Sequence, residues 1–88
     1  MKQNPEFVMG DVAGNHILMP IGHATLSLNG MITLNDIGVC VWEMLSENTS
    51  YSDLLHRIIS RFDVEEDTAD ADLKAFLDVL RKANAIVE

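Results

Sequence analysis

The chain of 88 residues has one cysteine, Cys40, so neither an internal disulfide nor a cysteine-rich zinc site can hold the fold together. That usage fits a reducing, cytoplasmic setting. Proline is equally scarce: Pro5 and Pro20 are the only two, and no residue after them interrupts a helix by that route. No window approaches the ~18 apolar residues of a membrane span, and Met1-Lys2-Gln3-Asn4-Pro5-Glu6 leads into no long apolar stretch, so neither a membrane span nor an export signal is expected. Cations are few, 6 against 14 acids, giving a net charge of −8 and a pI near 4.6. Such a surface repels phosphate backbones and anionic lipid, which argues against nucleic acid or membrane as a partner.

What remains is an ordinary globular balance, 48% hydrophobic and 23% charged, sufficient for folding but for only one core, since a second would need roughly 50 residues of its own. Residues 1–88 therefore read as a single domain. Its halves differ. Every glycine except Gly38, and both prolines, precede Leu34. There, short apolar runs alternate with turn signals: Phe7-Val8-Met9, a turn between Asp11 and Asn15 holding Gly14, then His16-Ile17-Leu18-Met19 closed by Pro20. Ala24 to Leu28 alternates weakly, Asn29-Gly30 is a turn signal, and Met31 to Leu34 is the better strand. The strands are thus expected within 6–34.

From Asn35 the period becomes helical, with helices expected at about 35–47, 50–62 and 66–83. Ile37, Cys40, Val41, Met44 and Leu45 share one face behind an Asn35 cap. Gly38 inside that helix points to close approach of another backbone. Ser50 caps the second helix, whose apolar face is Leu54, Leu55, Ile58, Ile59 and Phe62. The third carries Ala69, Leu73, Phe76, Leu77 and Leu80, with Asn84 as a left-handed stop before a terminal strand at Ala85-Ile86-Val87.

No set of residues announces catalysis. His16, His23 and His56 are scattered over strand and helix, with no pair at the i, i+4 spacing of a helical zinc site. Cys40 falls on an apolar helix face, where a thiol serves as a small hydrophobe. The acids Asp63, Glu65, Glu66, Asp67, Asp70 and Asp72 begin like a calcium loop, but Thr68 and Lys74 occupy the positions that need glycine and a bidentate glutamate. Acids at a helix start also have a simpler role, stabilising the positive end of its dipole. No metal and no cofactor is expected. Trp42 lies off the main stripe of its helix, either in a satellite cluster under the sheet or as an anchor for a partner.

Three short helices and a terminal strand make an α+β, winged helix-turn-helix-like chain. Its acidic third helix is unsuited to a DNA groove, so a protein-binding adaptor is favoured over a transcriptional regulator. That helix carries a second, thinner stripe of Asp72, Ala75, Val79, Lys82 and Ala83. Beside an open strand edge at Met31 to Thr33, it would accept an extended peptide by strand addition. Alternatively the chain's own segment Ala24 to Leu28 covers the edge. An open edge also leaves self-association as a homodimer available.

The series Gly30-Met31-Ile32-Thr33-Leu34-Asn35-Asp36-Ile37-Gly38, Val41-Trp42-Glu43-Met44-Leu45, Ser50-x-x-Asp53-Leu54 and Phe62-Asp63-Val64 resembles the PqqD family, the pyrroloquinoline-quinone biosynthesis protein D group. Phe76-Leu77-x-x-Leu80 and Asn84-Ala85-Ile86-Val87 extend the resemblance, with Asn84 where the family usually has glycine. The resemblance implies a three-stranded antiparallel N-terminal sheet packed on three helices. It also implies a non-catalytic peptide chaperone, or RiPP recognition element. Such a chaperone binds the leader of a ribosomally made precursor peptide between strand three and helix three, and presents it to a modifying enzyme such as a radical S-adenosylmethionine protein. On this chain the peptide-binding residues so implied are Met31, Ile32, Thr33, Leu34, Asp72, Ala75, Phe76, Val79, Lys82 and Ala83.

Overall fold

Residues 7–20 form a two-residue hairpin because Ala13 and Gly14 both take positive φ, 53° and 84°, the backbone handedness that matches strand twist. The computed structural model describes residues 1–21 and 31–88. The segment Ala24 to Leu28 and the Asn29-Gly30 turn signal lie outside the described residues. In chain order the elements are β1 (Lys2–Gln3), β2 (Phe7–Val12), β3 (Asn15–Pro20), β4 (Ile32–Leu34), α1 (Asp36–Met44), α2 (Tyr51–Arg61), α3 (Glu66–Lys82) and β5 (Ile86–Val87).

The main sheet is antiparallel with order β2-β3-β4, and its register pairs Val12 with Asn15, Leu18 with Ile32 and His16 with Leu34. Alternation turns Phe7, Leu18 and Leu34 inward, where they are buried against the helices. The helices contribute Val41, Trp42 and Leu45 from α1, Leu54 and Ile58 from α2, and Ala69, Leu73, Leu77 and Leu80 from α3 to the same cluster. The expected architecture is therefore present: a three-stranded antiparallel sheet on three helices. Trp42 is part of that core, 3% exposed, and not an anchor for a partner.

Two features depart from the sequence reading. One is an additional N-terminal strand: β1 pairs with the expected terminal strand β5 in a separate two-stranded sheet, Lys2 opposite Val87 and Gln3 opposite Ile86, so the N-terminal strands begin before residue 6. Lys2–Gln3 shows no apolar alternation because it is held by polar partners. The Gln3 N–H donates to the Leu45 carbonyl at 2.7 Å, its side-chain amide to the Trp42 carbonyl at 2.6 Å, and the Asn4 N–H to the Ala85 carbonyl at 2.8 Å. The other departure concerns Gly38, whose close neighbour is no foreign backbone. A β-carbon there would meet the Phe76 ring at 3.4 Å, Leu34 Cβ at 3.4 Å and Asn35 Oδ1 at 3.3 Å.

Capping follows the sequence. Asn35 Oδ1 accepts from the Gly38 N–H at 2.8 Å, Ser50 Oγ accepts from the Asp53 N–H at 3.1 Å, and Asn84 takes φ 61° after α3. The start of α3 lacks a side-chain cap and carries Glu66 and Asp67 in its first turn instead.

α2 and α3 are tied by the Tyr51 hydroxyl, which donates to the Asp70 carboxylate. The Tyr51 bond and the Lys74 ammonium, 3.0 Å away, hold the Asp70 carboxyl below the usual carboxylate range. Partial burial and the same carboxylate push the Tyr51 phenol up to about 12. The depressed acid stabilises the fold above its ordinary pKa, and that contribution is lost as pH falls through the lowered value. The raised phenol stabilises below its ordinary pKa of about 10, and its contribution is lost as pH climbs from there to about 12. Tyr51→Phe is expected to lower the thermal midpoint at neutral pH by roughly a few degrees and to flatten both limbs of the pH–stability curve. Thermal melts from pH 2 to 11 check both effects.

Candidate peptide-binding groove

Ile32, Thr33 and Leu34 are a β-favouring run, and β4 is short because Asn35 immediately caps α1. The strand edge and the start of α1 are therefore contiguous. β3 occupies one side of β4, and among the described residues no strand pairs with the other side. Backbone groups along that side face away from the sheet, as those of any edge strand do. Met31, just before the strand, is 63% exposed. Thr33 points outward and is exposed, Ile32 is half-buried, and Leu34 is in the core, so only its main chain is available to a ligand.

α3 separates its residues by face. Ala69, Leu73, Leu77 and Leu80 are buried, Phe76 and Ala83 lie half-buried at the margin, and Asp72, Ala75, Val79 and Lys82 are exposed. Phe76 joins this helix to the strand edge, because Gly38 leaves a gap into which the Phe76 ring and Leu34 both reach. A cleft of about 320 Å³ results, lined by Asn35, Ile37, Gly38 and Val41 on one side and Asp72, Leu73, Ala75 and Phe76 on the other. This is small for a cofactor pocket and fits one or two side chains.

Of the ten residues expected to bind peptide, Asp72, Ala75 and Phe76 meet at this cleft. Val79, Lys82 and Ala83 continue the stripe toward the end of α3, and Met31 to Leu34 form the neighbouring strand edge. The cleft also contains residues that sequence reasoning missed as site members: Asn35, Ile37, Gly38, Val41 and Leu73. The available signal was Gly38, a helix-interior glycine that leaves room where a side chain would close the gap.

Among the described residues a larger cavity of about 850 Å³ lies elsewhere, between the end of α1 and the outer side of α2. Its lining includes Glu43, Met44, Glu47, Asp53, His56 and Arg57. Ser60 and His56 both line this trough, but the Ser60 hydroxyl donates to the Arg57 carbonyl at 3.1 Å and, among the described residues, has no hydrogen bond to His56. The smaller cleft begins at Asn35, next to a strand that among the described residues is paired on one side only, and is the better candidate despite its size. Among the described residues no three His, Cys, Asp or Glu side chains are grouped to hold a metal ion. Cys40 is buried, its sulfur 3.6 Å from an Arg61 guanidinium nitrogen, and His16, opposite Leu34 in the sheet, sits 2.9 Å from Asp11 and is not among the residues lining the cleft. No described helix is long and apolar enough to cross a membrane.

The sequence matches the family described as Coenzyme PQQ synthesis protein D (PqqD) over residues 15–86. Comparison with the curated proteins finds no significant match. Two solved structures share the fold. One is TbiB1 in complex with the TbiA(beta) leader peptide, at TM-score 0.74 and 20% identity, covering 97% of this chain and 93% of that chain. The other is lasso peptide synthetase B1 complexed with the leader peptide, at TM-score 0.73 and 20% identity, covering 99% of this chain and 96% of that one. At that identity the likeness is one of architecture, and it spans nearly the whole of each chain.

Proposed function

The chain belongs to the PqqD family, and from that premise we propose that it is a non-catalytic, cytoplasmic peptide chaperone. It binds the leader segment of a ribosomally made precursor peptide as an added strand on the free side of β4, across the cleft from α3. The observation that carries this reading is that Leu34 of β4 and Phe76 of α3 both approach Gly38, which sets β4, paired on one side only among the described residues, near a helix whose outer stripe is small and exposed at Ala75 and Val79. Backbone pairing along residues 31–34 supplies affinity for almost any extended segment. Selectivity comes from side chains at alternate positions meeting Asp72, Ala75, Phe76, Val79, Lys82 and Ala83. Both solved neighbours hold a leader peptide, which supports the same ligand class here.

The client is a separate peptide-modifying enzyme, and the family resemblance points to the radical S-adenosylmethionine class. The chaperone role is tested by reconstituting precursor modification with and without this chain. Product yield is expected to fall at least tenfold when the chain is omitted, and the chain with the precursor alone is expected to give no covalent change by mass spectrometry. Full modification without the chain, or modification by the chain by itself, contradicts the reading.

A further inference from the structure

Past its first turn, where Glu66 and Asp67 stand exposed at the positive end of the dipole, the charged side chains of α3 fall into two sets. On the flank facing α2 they answer one another: Lys74 lies 3.0 Å from Asp70, and Arg81 lies 3.5 Å from Asp78 and 2.6 Å from Glu88. On the cleft stripe stand Asp72 and Lys82, both exposed and, among the described residues, both without an ion pair. One is an anion at the cleft, the other a cation near the end of the same helix, with Ala75 and Val79 between them.

Helix rise puts Asp72 and Lys82 about 15 Å apart along the axis. An extended strand climbs about 3.4 Å per residue, so four residues cover about 14 Å, and positions i, i+2 and i+4 turn the same way. A bound strand that runs along α3 with one face toward the helix would therefore set three of its side chains over Asp72, over the Ala75–Val79 interval, and over Lys82.

We propose that the groove reads a charge ladder. On this view, which rests on the leader-binding reading above, the bound segment carries a Lys or Arg opposite Asp72 and an Asp or Glu four positions away opposite Lys82. A large apolar residue midway is seated on Ala75 and Val79 at the mouth of the cleft. The apolar residue supplies burial, and the flanking charges fix register and direction, because a slip of one residue turns all three away from the helix. A net charge of −8 attracts cationic peptides without distinguishing their direction. The opposed pair on the stripe makes that distinction.

The probes are two synthetic peptides of identical composition, one with Lys-Thr-Leu-Thr-Glu at its centre and one with Glu-Thr-Leu-Thr-Lys. Each is titrated against the labelled chain and against the double variant Asp72→Lys/Lys82→Glu, with backbone amide shifts as readout. Wild type is expected to prefer one order by about five- to tenfold at low salt, less at high salt, and the double variant to prefer the other. Both substitutions lie at exposed helix positions, and an unchanged circular dichroism spectrum confirms that the fold is kept. Equal affinity for both orders, a preference that survives the charge swap, or no shift at β4 with either peptide at millimolar concentration overturns the ladder. A precursor leader that still moves β4 and α3 in those cases leaves the groove standing, whereas a leader that moves neither removes the groove as well.

Discussion

Trp42→Ala is expected to remove about 3–5 kcal/mol of folding free energy, a large part of the 5–10 kcal/mol on the order of which a domain this small depends. The indole is 3% exposed and sits in the cluster shared by α1, α2 and the sheet. Its loss leaves a cavity that backbone held on both sides cannot close. The Trp42 carbonyl is fixed by the Gln3 amide at 2.6 Å, and the following turn by the Gln3 N–H on the Leu45 carbonyl at 2.7 Å. The thermal midpoint should fall by more than about 10 °C. Trp42→Phe, which fills most of the same space, should recover at least half the loss. Urea unfolding of the three proteins measures this, and a loss under about 1 kcal/mol for the alanine variant would show that the indole lies outside the core.

The residues around Trp42 also show why sequence alone left its role open. It falls off the stripe defined by Ile37, Cys40, Val41 and Met44, and one amphipathic stripe is what helical periodicity reveals. α1 is instead covered on two sides, by the other helices and by the N-terminal segment with β1. That segment pairs through main-chain and amide hydrogen bonds, which leave no apolar pattern to read. The hairpin was easier to see because Gly14 marks the turn. Its exact two-residue form depends on Ala13 taking positive φ, which alanine does not advertise. The second and third helices were legible to within a residue at each end, and the first at its start, since Asn35, Ser50 and Asn84 mark their limits and their buried positions recur at three and four; the first ends at Met44, three residues before the expected 47. In the candidate site, the outward stripe of α3 was readable from spacing. The cleft was only half legible: Gly38 signals room inside α1, but that Phe76 borders that room from another helix is a tertiary relation the local sequence does not carry.

Val79→Glu is expected to weaken leader binding by at least tenfold while leaving the fold intact. Val79 is 47% exposed, and substitutions at such sites usually change stability by no more than about 0.5 kcal/mol. Once a peptide covers the stripe, the new carboxylate is enclosed against an apolar side chain without a partner. That costs on the order of 2 kcal/mol or more, and about 1.4 kcal/mol is a factor of ten in Kd. Glu47→Lys, in the α1–α2 trough, changes the charge by more and should leave leader affinity within about twofold at physiological salt. Fluorescence anisotropy with a labelled leader measures both variants. Equal weakening by the two would mean that net charge, and not the stripe, governs binding.

The central claim, that an extended leader adds to β4 across from α3, is tested most directly by following every backbone amide of the nitrogen-15-labelled chain while a candidate precursor leader is added. Shifts concentrated at 31–34 and along 72–83, with Glu47, His56 and the rest of the trough unmoved, are the predicted result. Shifts confined to the trough, or a silent β4 and α3 with a leader whose modification depends on this chain, would contradict it.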